Sequence, residues 1–283
     1  MTYTTPPALP ALSAKLSSFF AECDSPYLSE GTPTVLTKRC VAYLATLPAP
    51  PAVPTNALPP GFVDAWTAAT LNALLTLPPS AYFPVLDLWR VGLARDGARL
   101  ALSFAQTLPS VLTAVASPTL LDSDEMSKPL LTTTLRLVSN ALPFDSLVLT
   151  LLSPAGAVQE TTRLVVRALL DQDKGVRSIG AGLVWSIIGR VWQHRKKEDG
   201  EVFGGEEWEC EVACAVLEAL RREHESVEIG EWTISVTERN DQRTMIPPHS
   251  PSPRRLARVA RARIAEHGSA CRYHGCPRWR RGC

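Results

Sequence analysis

Arginine, lysine and asparagine side chains recur at helical spacing through the centre of the chain. In the segment 127–143, Arg136 and Asn140 are four residues apart, so they lie on one helical face, away from the apolar stripe. Arginine can form two parallel hydrogen bonds to a carboxylate, and asparagine can bond the backbone of an extended peptide. For any single residue a solvated helix face explains the pattern equally well, but together these residues suit an acidic peptide.

Two further segments add cations to this set. In FPVLDLWRVGL (83–93), Arg90 lies with Asp87 off the apolar stripe, and in KGVRSIGAGLVWSIIGRVW (174–192) three cations do the same. Those three are Lys174, Arg177 and Arg190. The apolar positions that alternate with the polar ones should be buried, and we expect the core to include Leu86, Trp89, Leu135, Val138, Leu183 and Ile187.

Few residue patterns here could support catalysis or hold a cofactor. The chain has no GxSxG, HExxH or GxxxxGK[ST] motif, and its five histidines lie in or near charged or loose segments. Gly180-Ala181-Gly182 falls inside a helical pattern, where small residues indicate close contact between helices. The sequence therefore predicts no catalytic residue and no bound cofactor.

The cysteines raise the question of a metal site. A group near the C-terminus resembles one superficially, but no partner CxxC or HxxxH follows at a suitable distance, so we predict no metal. That group consists of His267, Cys271, His274, Cys276 and Cys283. Cys210 and Cys214 are four residues apart in an apolar helical pattern, which favours buried thiols over ligands or a redox pair.

The composition is typical of a protein with a sizeable core. The 283 residues are 45% hydrophobic and 20% charged, and no apolar run reaches the 18 residues of a membrane span. The first 20 residues lack the pattern of a secretory signal, and the cysteines are odd in number and scattered. We therefore expect a reducing compartment, the cytoplasm, with the nucleus as a second location.

Helix-type segments follow one another with short Pro or Gly breaks, and strand patterns are nearly absent. This succession predicts an all-α array of stacked helices. Residues 1–10 should be flexible, and a proline-rich linker, 48–60, interrupts the array. The predicted helical segments are 11–23, 34–47, 61–77, 84–95, 98–115, 126–142, 145–152, 157–171, 174–194 and 206–225, with a break at Asp96-Gly97.

The last part of the chain, 229–283, differs from the array. From residue 239 onward it has 11 Arg, no Lys and two acids, and little apolar periodicity, so we interpret it as a disordered basic tail. Such a tail could make the protein an adaptor for nucleic acid or an anionic membrane surface, with the array as scaffold; we favour a solvated run instead. Its composition is also typical of a wrong reading frame or intron.

Three stretches resemble a known family. They are YFPVLDLWRVGLA (82–94), LLTTTLRLVSNAL (130–142), and DKGVRSIGAGLVWSI (173–187) together with EEWECEVACAVLEALRREHESVE (206–228). In order and spacing, residues 11–228 resemble the PUL domain, the module shared by phospholipase A2-activating protein and its yeast relatives. The stretches consist of ordinary helical residues, so the resemblance rests on their order over some two hundred positions.

The resemblance implies an armadillo-like, right-handed superhelical array and a non-enzymatic, protein-binding role. Its partner would be the acidic C-terminal tail of the hexameric AAA segregase, valosin-containing protein, bound in a basic concave groove during ubiquitin-dependent turnover, with other ubiquitin-pathway components as further partners. The groove candidates in this chain are Arg90, Arg136, Asn140, Lys174, Arg177, Ser186 and Arg190.

Two departures from the family pattern affect that groove. Ser186 stands where the family usually has an asparagine. After the acidic helix the family continues with a further Arg-Leu-Leu and Ala-Leu-Gly hairpin, whereas this chain has IGEWTISVTERN (229–240). We therefore expect the final repeat, and with it part of the groove, to be missing.

Overall fold

The computed structural model describes residues 9–48, 57–123, 125–153, 156–197 and 205–223, and helices are the only regular secondary structure within those ranges. The chain divides into two compact units, Met1–Ala219 and Leu220–Cys283, and the description below concerns the first. This architecture confirms the all-α class. The helices are α1 (Leu9–Ala21), α2 (Gly31–Thr34), α3 (Cys40–Thr46), α4 (Phe62–Thr76), α5 (Tyr82–Val115), α6 (Pro118–Leu121), α7 (Lys128–Ala141), α8 (Asp145–Leu152), α9 (Val158–Leu169), α10 (Lys174–Lys197) and α11 (Gly205–Glu223).

A π-helical turn, Val35–Arg39, joins α2 to α3, and a 3₁₀ turn, Pro79–Ala81, precedes α5. The predicted flexible N-terminus, the linker 48–60 and the basic tail lie mostly or wholly outside the described residues, as does the Cys/His group of 267–283. The predicted boundaries of these segments therefore stay predictions.

A row of stacked aromatic rings forms the centre of the core. The ring of Trp89 lies 4.2 Å from that of Trp66 on one side and 4.2 Å from that of Phe104 on the other. The buried indole of Trp89 donates a hydrogen bond to Thr70 Oγ1 at 2.8 Å, so its one polar atom is satisfied. These contacts join α4 to both halves of α5.

The predicted break at Asp96-Gly97 is confirmed within α5. Asp96 has non-helical torsion angles, φ −143° and ψ 32°, and divides α5 into segments that match the two helices expected from the sequence. Gly97 is required at this point, because a Cβ atom there would lie 2.0 Å from the ring of Phe144. The close approach of that ring brings the start of α8 against the middle of α5.

All six apolar residues expected in the core are buried. Each exposes 1% or less of its surface, so the predicted faces of α5, α7 and α10 are correct. They are Leu86, Trp89, Leu135, Val138, Leu183 and Ile187. Gly180 makes the predicted close helix contact, since a Cβ atom there would lie 2.9 Å from that of Ala168 in α9.

The prediction of buried thiols in α11 was wrong. Cys210 and Cys214 are both exposed, whereas Trp208, Val212 and Ala215 of the same helix are buried. The sequence pattern fits either face of the helix, because the two cysteines share one side and Val212 and Ala215 lie on another. The tryptophan decides which face is inside, since it brings the larger apolar area to the core.

Two salt bridges show how α7 and α10 are arranged. Lys128 Nζ lies 2.6 Å from Asp173 Oδ2 at the N-terminal ends of these helices, and Arg190 Nη2 lies 2.5 Å from Asp145 Oδ1 beyond the C-terminal end of α7. Both pairs join residues that are 45 apart in sequence. The first pair joins the starts of α7 and α10 and the second joins the later part of α10 to the start of α8, just beyond α7, so α7 and α10 run parallel.

Side-chain bonds to backbone carbonyls link other elements at similar separations. Their donors lie 45 to 51 residues beyond their acceptors. We call these the inter-repeat bonds: Arg95 Nη1 to Leu44 O, Asn140 Nδ2 to Arg90 O, Thr150 Oγ1 to Ala105 O, and Arg167 Nε to Leu121 O. Armadillo and HEAT repeats have periods of roughly 40–47 residues, and two of these four separations, 45 and 46, fall in that range, so the armadillo-like repeat type stays a prediction. The right-handed superhelix stays a prediction.

Candidate peptide-binding site

The seven candidate residues lie on three elements, α5, α7 and α10, but they differ widely in exposure. Arg90 exposes 5% of its surface and Asn140 only 1%, whereas Lys174 is exposed. The remaining four candidates are half-buried. They are Arg136, Arg177, Ser186 and Arg190.

The expectation that Arg90 and Asn140 lie on an outward polar face is corrected by their burial. Arg90 Nε donates to Asp87 Oδ1 at 2.5 Å, and the side-chain amide of Asn140 donates to the main-chain oxygen of Arg90 at 2.9 Å. The physical reason is that α7 packs on α5 over this face. The Asn140 amide therefore joins the two helices, while the Arg90 guanidinium pairs with Asp87 inside α5, and spacing within one helix could not reveal either role.

The N-terminal end of α10 is held by its own loop. Arg177 Nη1 donates to the carbonyl oxygens of Asp171 at 2.9 Å and Gln172 at 2.7 Å, and both acceptors are uncharged. Asp173 caps the helix by accepting from the Val176 amide at 3.0 Å. The hydrogen bond from Lys128 holds the pKa of Asp173 below its usual range. Arg177 thus has a fixed position near the surface.

The C-terminal half of α10 contributes less to an anion site. Ser186 Oγ donates to the carbonyl of Gly182 in its own helix at 2.8 Å. Arg190 pairs with the carboxylate of Asp145 at 2.5 Å and contacts the carbonyl of Pro143 at 3.5 Å. Its positive charge is compensated by that carboxylate.

The register of α7 and α10 decides which candidates share a level. An offset of 45 residues along both helices would put Arg136 between the levels of Arg177 and Ser186. These three half-buried residues define what we call the α7–α10 surface, while Arg90 and Asn140 are buried.

Sequence reasoning missed a second group of polar residues around the break in α5. The Tyr43 hydroxyl donates to Asp96 Oδ2, and Arg99 Nε donates to Asp96 Oδ1 at 2.7 Å. Burial, followed by the hydrogen bond to Asp96, raises the pKa of Tyr43 above its ordinary value. The only signal in the sequence was an Asp-Gly pair flanked by Arg95 and Arg99 inside an apolar run.

Within the part of the chain that the structure describes, no group of three or more histidine, cysteine or acidic side chains could hold a metal ion. No helix there combines the length and the apolar character needed to cross a membrane.

Comparison with known proteins adds one finding. The family description of the PUL domain matches residues 1–231, most of the 283-residue chain. No curated protein and no solved structure matches. In this family the PUL domain is a protein-interaction module, which agrees with a structure of packed helices that presents side chains for binding. The chain therefore belongs to the PUL domain family.

Proposed function

We propose that the chain binds the acidic C-terminal tail of the AAA segregase of the valosin-containing protein type, and that it acts in ubiquitin-dependent protein turnover in the cytoplasm and nucleus. One observation carries the proposal. The parallel run of α7 and α10 supports it, because Arg136 on α7 and Arg177 on α10 would then present two guanidinium groups to one extended acidic chain.

The chemistry of this surface favours carboxylates. Arg136 and Arg177 each carry a full positive charge at neutral pH. Lys174, exposed at the start of α10, adds a third charge. A guanidinium can form paired hydrogen bonds to a carboxylate, so this surface can order the acidic side chains of a peptide.

The test is isothermal titration of the full chain with the segregase tail peptide. Arg136→Glu replaces attraction by repulsion, and because a charge-assisted hydrogen bond contributes about 1.5–3 kcal/mol, we expect at least a roughly tenfold weaker Kd. Binding should also weaken as salt rises, because partly exposed charges are screened over about 8–10 Å. Heparin is titrated in parallel as a probe for the basic-tailed adaptor.

A matched control is available on α9. Arg163 is 41% exposed and pairs with Glu160 of its own helix, so Arg163→Glu makes the same change of charge at a residue that is not one of the seven candidates. We expect it to bind the peptide like the parent. Equal binding by the parent and by Arg136→Glu, at unchanged Tm, would show that Arg136 belongs to a solvated helix face. Heparin binding without peptide binding would favour the adaptor.

A further inference from the structure

A second cationic surface lies at the π-helical turn, more than 80 residues away in sequence from the nearest residue of the α7–α10 surface. Lys38 and Arg39 end the turn and are both exposed. Arg95 and Arg99 approach the same region from the break in α5, where Arg95 Nη1 donates to Leu44 O at 3.3 Å. We call these four residues the π-turn patch.

The position of Arg39 is fixed by an aromatic ring. Its guanidinium lies 5.8 Å from the ring centroid of Phe62, a residue that is only 2% exposed. The Phe62 ring lies in turn 4.9 Å from that of Tyr43, which is one helical turn beyond Arg39. A cation over an aromatic face keeps its hydrogen-bond donors directed outward, so the guanidinium is oriented before any partner arrives.

The carboxylate of Asp96, which lies beside the patch, does not balance the positive charges of its four residues. Asp96 is 4% exposed and is already bound by Arg99, through Nη2 at 2.6 Å, and by the Tyr43 hydroxyl. Lys38 and Arg39 form no ion pair with any described residue. Asp64, on the first turn of α4, is two positions from Phe62 and so points to the opposite side of that helix.

Neighbouring cations repel one another, so this arrangement does not itself favour folding. Lys38 and Arg39 also lie in a π-helical turn. Such turns are rare in proteins, and those that occur are often found at functional sites. We propose that the π-turn patch binds an acidic peptide through adjacent carboxylates, with Arg39 as the forked contact and Lys38 as the flanking charge. This surface is separate from the α7–α10 surface and does not depend on the segregase as partner.

The experiment uses the full chain and a fluorescein-labelled decaglutamate peptide, with decaglutamine as the uncharged comparison, followed by fluorescence anisotropy at two salt concentrations. We expect the parent to bind decaglutamate and not decaglutamine. The double variant Lys38→Gln, Arg39→Gln, made in the Arg136→Glu background so that the α7–α10 surface does not contribute, should bind at least about tenfold more weakly than Arg136→Glu alone and with a smaller salt dependence. Both side chains are exposed, so the variant should keep its Tm.

Three further proteins sharpen the result. Arg39→Lys keeps the charge but loses the fork, so it should lose roughly two- to fivefold. Lys15→Gln is the matched control, because Lys15 lies 4.6 Å from the ring centroid of Phe83, which is a similar cation–ring contact outside the patch, and its binding should not change. Arg136→Glu alone should retain decaglutamate binding, because the π-turn patch is intact in it.

The outcomes separate this inference from the proposed function. Decaglutamate binding that is unchanged in the double variant, or lost only in Arg136→Glu, would overturn the patch. An oligothymidylate of equal length that displaces the peptide at lower concentration would show a nucleic-acid surface instead. A parent that binds decaglutamate through the patch but ignores the segregase tail would leave this inference standing and remove the proposed partner.

Discussion

Two pairs of polar residues in this chain have similar chemistry and opposite positions. Arg90 and Asn140 lie between α5 and α7, whereas Arg136 and Arg177 lie on the surface of α7 and α10. Asn140 is only one turn from Arg136 on the same helix. The neighbouring helix makes the difference: Asn140 is covered by α5 and uses its amide on a backbone carbonyl there.

Polar residues on the inner face of a helical array can therefore serve two purposes. Some bind a preceding helix of the same chain, and others are proposed to bind a partner. The inter-repeat bonds, at separations of 45 to 51 residues, identify members of the first class in this chain. Arg190 belongs largely to that class as well, because it bonds Pro143 and Asp145. The proposed peptide site would therefore use Arg136, Lys174 and Arg177 rather than Arg190.

The largest expected effect comes from Arg90→Met. Arg90 and Asp87 expose only 6% and 13% of their side chains, so the substitution would leave a nearly buried carboxylate without its cation. Removing one partner of a buried ion pair costs about 3–5 kcal/mol, and we expect that loss in the free energy of unfolding by urea.

The control is the pair of the same spacing on α9. Arg163 and Glu160 are also three residues apart, but their side chains are 41% and 19% exposed and their closest atoms are 3.7 Å apart. Exposed pairs contribute about 0–1 kcal/mol, so Arg163→Met should have little effect. Similar losses in both variants would mean that burial does not distinguish the two pairs.

Asn140→Ala should have a smaller but clear effect. It removes the 2.9 Å hydrogen bond to the Arg90 carbonyl inside the protein, and a hydrogen bond between uncharged groups contributes about 0.5–1.5 kcal/mol net. Thr133→Ala is the control on the same helix, since the Thr133 hydroxyl makes no side-chain hydrogen bond within the described residues. Urea unfolding measures both variants.

The same variant tests the peptide role assigned to Asn140 from the sequence. A neutral contact should leave the salt dependence of peptide binding unchanged and weaken binding less than Arg136→Glu does. A stable Asn140→Ala variant with strongly reduced peptide affinity would contradict the structural role and return Asn140 to the binding surface.

The sequence predicts the fold well because the main signals are local. Apolar periodicity within each helix identified the buried faces of α5, α7 and α10, and the Asp-Gly pair located the break in α5. What it could not predict is which helix covers a polar stripe some 45 residues away. Cys210, Cys214, Arg90 and Asn140 were all assigned from their own helices, and packing between helices decided their exposure.

Between the buried and the exposed ion pairs lies a third, Arg99 with Asp96, whose side chains are 27% and 3% exposed. Here the Tyr43 hydroxyl donates a further hydrogen bond to the Asp96 carboxylate. Because Tyr43 donates its hydroxyl proton to Asp96, ionisation of Tyr43 in the folded chain would place two negative charges side by side. The free energy of unfolding should therefore depend on pH through the cluster of Tyr43, Asp96 and Arg99.

The last prediction, and the smallest effect, concerns Tyr43→Phe. Burial and then Asp96 raise the Tyr43 pKa in the folded chain, so above the ordinary tyrosine value of about 10 the unfolded chain releases a proton that the folded chain retains. Tyr43 therefore contributes stability below that pH, and the contribution is lost as pH rises. Urea unfolding across this range should fall less steeply for Tyr43→Phe than for the parent. Tyr27→Phe, at a site 81% exposed, should follow the parent. Identical slopes for the parent and Tyr43→Phe would show that the hydroxyl does not hold its proton through Asp96, and that Arg99 alone satisfies the buried carboxylate.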